Sequence, residues 1–394
     1  MRYLSIWRCV MMKEKCKNML TRQIIPFWNS LLDERGGFYG RMDQQLELFK
    51  DAEKGVILNS RILWFYSASY ITTKDESLKV YANHAFDFLK NCCIDSEYGG
   101  VYWMMDCNGN PLDTMKHTYN QAFAIYALSV YYQALESDEA ISIAMQLYDT
   151  IEEKTFKNGL YEEAFTREWK RADNDALSEN GIDAKKTMNS ILHLIEAYTE
   201  LLRSTGDLRV RKSLKNLLDI VEKYVFDEKS NALRVFFDDD MNVLGNIHSY
   251  GHDIEASWLI DRACEVLCED EYTEKFKKID LAIANNILDV AFENGALNNE
   301  RDGAEISKKR VWWVQAETVV GFLNAYQSGG DEKFLNAAQA TLEYIEKYVV
   351  DQRCGEWFPD VSFEDVPFGD FDMVGPWKCP YHNGRMCIEV LKRL

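Results

Sequence analysis

The chain has 394 residues, is 47% hydrophobic and contains only six prolines, so it can bury a large core but lacks the breaks of several independent domains. A formal charge of −19 and an isoelectric point near 4.9 argue against nucleic acid or an anionic membrane as partner and leave neutral ligands. No stretch nears the ~18 apolar residues of a membrane span, and the ten cysteines lack C-x-x-C metal spacing. Reduced core thiols of a cytoplasmic, monomeric protein are expected.

In chain order, the start MRYLSIWRCVMMKEKC has no basic n-region, apolar h-region or small-residue cleavage site. Residues 1–11 read as a dispensable extension, with a single domain over 12–394. Apolar residues at three- and four-residue spacing then predict twelve helices. They run over about 14–33, 56–74, 76–93, 116–136, 138–154, 186–204, 207–226, 251–269, 272–291, 310–328, 331–350 and 382–393. A Gly- or Asn-turn motif recurs between helical pairs: GGFYGRMD, GGVYWMMD, NGLYEEAF, NALRVFFD, NGALNNER and CGEWFPDV. Its steps of 59 to 73 residues define six repeats of one helical hairpin each. Six hairpins with no polar capping repeat are expected to close into an all-α (α/α)6 toroid rather than an open solenoid. Even-numbered helices form the inner ring in this reading, and short extended loops gather at the mouth.

The even helices carry unusual polar and aromatic residues near their starts. These are Arg61 in the second, Tyr119 in the fourth, Asn189 and His193 in the sixth, and His252, Glu255 and Trp258 in the eighth. Trp313 and Glu317 follow in the tenth, and His382 and Arg385 in the twelfth. His248 and His252 are four apart, as in some zinc sites, but His248 falls in the preceding loop and no third ligand is offered nearby. The other reading is proton transfer: His252 and Glu255 are i, i+3 on one helix, where a carboxylate can orient an imidazole. His382, at a helix start, is expected to stay neutral beside the positive helix end. Tryptophans beside carboxylates and an arginine suit a neutral sugar. A glycoside hydrolase built on Glu255 and Glu317, or a non-catalytic sugar binder, would share these features.

Taken together, RILWFYS, GGVYWMMD, MKHTYNQAFAIYAL, LSENG, HSYGHDIEASWL, GALNNERD, RVWWVQAE and GPWKCPYHNGRM resemble the N-acylglucosamine 2-epimerase family from about Ile25 to the C-terminus. HSYGHDIEASW and WKCPYHNGR favour its branch acting on β-1,4-linked disaccharides. The resemblance implies a toroid that needs no cofactor and no metal. It also implies interconversion of glucose and mannose at the reducing end of such disaccharides. Within it, His252 and His382 would be the acid/base pair. Arg61, His193, Glu255 and Glu317 would complete the polar site, and Trp313 and Trp377 would stack on sugar. Tyr119, Asn189 and Trp258 join them as substrate-binding residues. An aldose–ketose isomerase or an N-acylglucosamine 2-epimerase of the same fold is the alternative.

Overall fold

The structure is a computed structural model, and it describes residues 2–173 and 184–394. LSENG (177–181) therefore lies outside the described residues. The outer helices are α1 (Arg2–Met19, continued through a π turn to Asn29), α3 (Leu78–Phe88), α5 (Asp138–Lys154), α7 (Leu208–Ile220), α9 (Asp270–Val290) and α11 (Glu332–Tyr344). The inner helices are α2 (Val56–Thr73), α4 (Thr118–Leu135), α6 (Met188–Thr205), α8 (Tyr250–Leu267), α10 (Trp312–Gly329) and α12 (His382–Arg393). Each inner helix packs against the next, and α12 packs back onto α2, so the ring is closed. Burial separates the two layers. Every residue from Val56 to Ser69 of α2 is buried, whereas α3 buries only one face, led by Leu78, Ala82, Ala85 and Phe86.

The recurring motif is the clasp between layers. A polar side chain one turn into an inner helix accepts the backbone N–H of a motif residue: Asn59 from Phe38, Gln121 from Val101, Asp253 from Leu233 and Gln315 from Leu297. Gly37 sits at φ +65°, where a Cβ would meet Asn59 Oδ1 at 2.6 Å, which explains the glycine there. A buried lysine precedes several inner helices and ties down the same loop. Lys54 pairs with Asp33 at 2.7 Å, Lys116 with Asp95 at 3.1 Å and Lys378 with Glu356 at 2.7 Å. The residues just before each inner helix also form a ribbon with the motif loop of the next repeat: 54–55 with 104–105, 116–117 with 164–165, 186–187 with 236–237, 247–249 with 300–302, and 310–311 with 360–361. Met42–Asp43 closes the circle against Asp372–Val374. These ribbons rim the mouth.

One boundary differs from expectation. The first helix begins at Arg2, not near 14, and Ser5 Oγ donates to Glu332 at 2.6 Å. Ile6, Trp7 and Val10 are exposed on it, so these turns carry no inward apolar stripe to read. We propose that removing residues 1–11 leaves activity intact, because Met12 and Cys16 are already buried and no site residue precedes Arg61. A melting temperature lowered by a few degrees with unchanged kcat is the expected result, and lost activity in a folded truncation would contradict it.

Candidate active site

The N-terminal ends of the inner helices surround a cavity of about 410 Å³. Arg61, Tyr119, Asn189, His193, His252, Glu255, Trp313, Trp377 and His382 all line it. Glu317 and Trp258 do not; both are fully buried behind the wall. Trp258 is therefore corrected from sugar contact to support, its Nε1 donating to Glu317 Oε2 at 3.0 Å. Position along the helix explains the difference. Trp258 is the ninth residue of α8 and Trp313 the second of α10, and at ~1.5 Å per residue this places Trp258 roughly 10 Å deeper.

Both imidazoles lie against Trp313, His252 with its ring centroid 4.8 Å from the indole and His382 at 5.5 Å. The expected His252–Glu255 pair is not formed. Ser249 Oγ lies 2.7 Å from His252 Nδ1, and Glu255 Oε1 instead accepts from Arg385. Spacing made the intrahelical contact possible, but a buried guanidinium from α12 is the stronger partner for that carboxylate. The imidazole–carboxylate pair lies elsewhere: His382 Nδ1 is 2.7 Å from Glu317 Oε1. Burial, then the neighbouring His193, lowers His252 to about 3. Burial, then Arg385 and Arg61, holds His382 well below its usual range. Desolvation and nearby cations thus favour the neutral form of His382. Both are poised as bases. Glu317→Gln keeps the shape but removes the charge that would stabilise a transient imidazolium at His382. It is expected to lower kcat by ~10²-fold with little change in KM, as steady-state kinetics would show.

The sequence places Arg385 among the polar residues of the inner-helix starts without giving it a role, and does not single out Glu196 or Tyr381. Arg385 contacts Glu196, Glu255 and, at 2.7 Å, Glu317. Glu196 Oε2 is 2.9 Å from His193 Nδ1, and Tyr381 Oη donates to Glu196 Oε1 at 2.5 Å. Burial would raise Glu196, but Arg385 and then His193 overcome it and hold the carboxyl at about 2. The available signal was Arg385 itself, three residues after His382 on an inner helix. Glu255, Glu317 and His382 offer ligand atoms within 4.8 Å of one another, a grouping suited to a cation. Arg385 lies against all three, its Nη2 3.5 Å from His382 Nδ1, so the guanidinium supplies that positive charge.

Arg61 is different. It is buried and makes no ion pair among the described residues; its Nη2 donates to Tyr119 Oη at 2.8 Å, and it stacks on Phe123 and Tyr381 at 4.2 and 4.8 Å. Arg61 Nε, Asn189 Oδ1 and Glu255 Oε2 are buried atoms of cavity residues without a hydrogen-bond partner. Polar atoms so placed suit a ligand rich in hydroxyls. Trp377, 42% exposed at the rim, offers the aromatic face.

A helical toroid with two buried imidazoles, an arginine that has no ion pair among the described residues and aromatic walls at its mouth makes a site suited to a polar ligand. The chain belongs to the N-acylglucosamine 2-epimerase (GlcNAc 2-epimerase) family, whose sequence profile matches residues 37–379. It is 57% identical over 385 residues to a cellobiose 2-epimerase of Ruminococcus albus, covering 97% of this chain and 99% of that one. Its structure is similar to that of a sugar epimerase from a ruminal bacterium, with TM-score 0.96, 57% identity and coverage of 97% and 99%. A cellobiose 2-epimerase from Bacillus thermoamylovorans gives TM-score 0.94 at 42% identity, covering 98% of this chain and 100% of that one.

Proposed function

We propose that this chain is a cofactor-independent epimerase acting at C2 of the reducing-end glucose of β-1,4-linked disaccharides, converting cellobiose to glucosyl-mannose and lactose to epilactose. The observation that carries this reading is the pair of neutral imidazoles on α8 and α12, both lining the cavity and both against Trp313. Once the sugar ring opens, the aldehyde acidifies the neighbouring C2–H. One imidazole removes that proton to give a cis-enediolate, whose developing charge Arg61 meets. Rotation about C2–C3 presents the other face, and the second imidazole returns a proton with inverted configuration. Two bases suit epimerisation, whereas one suffices for aldose–ketose isomerisation. The likeness to cellobiose 2-epimerases over nearly the whole chain supports the choice of disaccharide. Glu255 and Glu317 both face Arg385, an arrangement unlike a carboxylate pair flanking a glycosidic oxygen.

The test is product analysis by NMR after separate incubation with cellobiose, lactose, an N-acylglucosamine and free mannose. Glucosyl-mannose and epilactose are the expected products. Released glucose, or turnover of the N-acylglucosamine alone, would overturn the assignment. Exhaustive chelation is expected to leave the rate unchanged, because Arg385 occupies the cation position; reversible loss with rescue by zinc would contradict this. We place the protein in the cytoplasm as a monomer. Its ten cysteines are free thiols, and no helix among the described residues is long and apolar enough to cross a membrane.

A further inference from the structure

Ring opening needs two proton transfers that the C2 chemistry does not supply. O5 must gain a proton as its bond to C1 breaks, and the O1 hydroxyl must lose one as C1=O forms. With His252 and His382 both neutral at rest, neither carries a proton for O5, and neither carries one for the second face of C2. The missing donor must be a protonated group in the cavity wall.

Glu255 meets that requirement by position. It is 1% exposed, it lines the cavity, its Oε1 is engaged by Arg385, and its Oε2 has no hydrogen-bond partner among the described residues. A buried carboxyl oxygen left without a partner is unfavourable, which points to a use for it. Glu255 and His382 offer atoms within 4.8 Å of each other, while O1 and O5 hang from one carbon, so neighbouring groups can serve both. We propose that Glu255 is the acid of ring opening: its carboxyl passes a proton to O5 as C1–O5 breaks, while His382 receives the O1 proton as C1=O forms. The inference deepens the epimerase reading and rests on it. The charged and titratable groups around Glu255 include Glu317 on α10, Arg385 on α12, His193 and Glu196 on α6, Tyr119 on α4 and Tyr381 just before α12. Burial, then Glu317, raises Glu255 to about 7 against the opposing effect of Arg385 and His193, so a large share carries a proton at neutral pH.

The proton inventory then closes. Opening leaves Glu255 as carboxylate, O5 as hydroxyl and His382 as imidazolium. His252, still neutral, takes the C2 proton, and the C–H electron pair enters the enediolate. The His382 imidazolium protonates C2 from the opposite face and restores the aldehyde. On closure O5–H returns its proton to Glu255 as the C1–O5 bond reforms, and His252 gives its proton to O1. All three groups end as they began, and the reverse reaction exchanges the two imidazoles. No oxidant, metal or further co-reactant is required.

The experiment separates ring opening from C2 chemistry by measuring exchange between the α and β anomers of cellobiose by NMR saturation transfer. Wild type is expected to accelerate this exchange. Glu255→Gln, whose amide oxygen still accepts from Arg385, is expected to lose ~10²-fold or more of both anomer exchange and epimerisation. His252→Asn should lose epimerisation but hold anomer exchange within about threefold of wild type. Undiminished anomer exchange in Glu255→Gln overturns the proposal, as does a wild type that labels C2 without accelerating anomer exchange. Should the Gln variant not fold, Glu255→Asp withdraws the carboxyl by one methylene, and anomer exchange equal to wild type there overturns it equally. Absence of any C2 labelling by wild type would instead count against the epimerase reading itself.

Discussion

His252→Ala and His382→Ala are each expected to lower kcat for cellobiose by about 10³-fold while circular dichroism and the melting transition stay close to wild type. The two rings belong to different helices, α8 and α12, and the proposed mechanism gives each its own face of C2, so neither is expected to take over the other's role. Truncation leaves small apolar cavities near the mouth rather than unpaired buried charge, which is why the fold should survive. His382→Ala does free one edge of Glu317, but Arg385 and Trp258 still satisfy that carboxylate. A folded variant of either kind with activity within tenfold of wild type would contradict the assigned pair.

Arg385→Met carries the second large effect, on stability. The guanidinium is fully buried and joins Glu196, Glu255 and Glu317. Removing the cation leaves buried carboxylates facing one another, a change that commonly destabilises by roughly 3–5 kcal/mol. The loss should depend on pH in a definite direction. Without Arg385 the folded-state carboxyls titrate above their unfolded values, so the folded variant binds the extra protons. Its stability is then greatest at acid pH and falls as pH rises through those raised values. Wild type behaves oppositely at Glu196, which is held at about 2. Its contribution is present above the ordinary glutamate range and fades as pH falls towards 2. Urea melts of both proteins at about pH 5 and pH 8 would show a smaller deficit at pH 5. An equal deficit at both, or one below ~1 kcal/mol, would mean that Arg385 does not hold the cluster.

The ring was legible because it is written six times. Each hairpin repeats the same turn motif, and α2 and α4 are buried over most of their length. Depth within the site was harder to read. Tyr119, Asn189 and His252, within the first turn of their helices, do reach the cavity, but Trp258 and Glu196, both ninth residues, lie below it. Pairing across helices was not legible at all. Spacing allowed His252 to meet Glu255, yet a residue 130 positions away in sequence, Arg385, holds that carboxylate. Likewise His382 finds its carboxylate at Glu317, 65 residues earlier. A sequence shows what one helix can bring together; the closed ring decides which partner wins.

The most direct test of the central claim is proton NMR of cellobiose incubated with the purified protein in D2O without added metal. The account predicts glucosyl-mannose carrying deuterium at C2, because the imidazole that returns a hydron to C2 is not the one that removed it and carries deuterium from the exchanged O1 hydroxyl. Glucosyl-mannose formed without any deuterium at C2, or a spectrum in which C2–H of cellobiose never changes, would contradict proton transfer by this site.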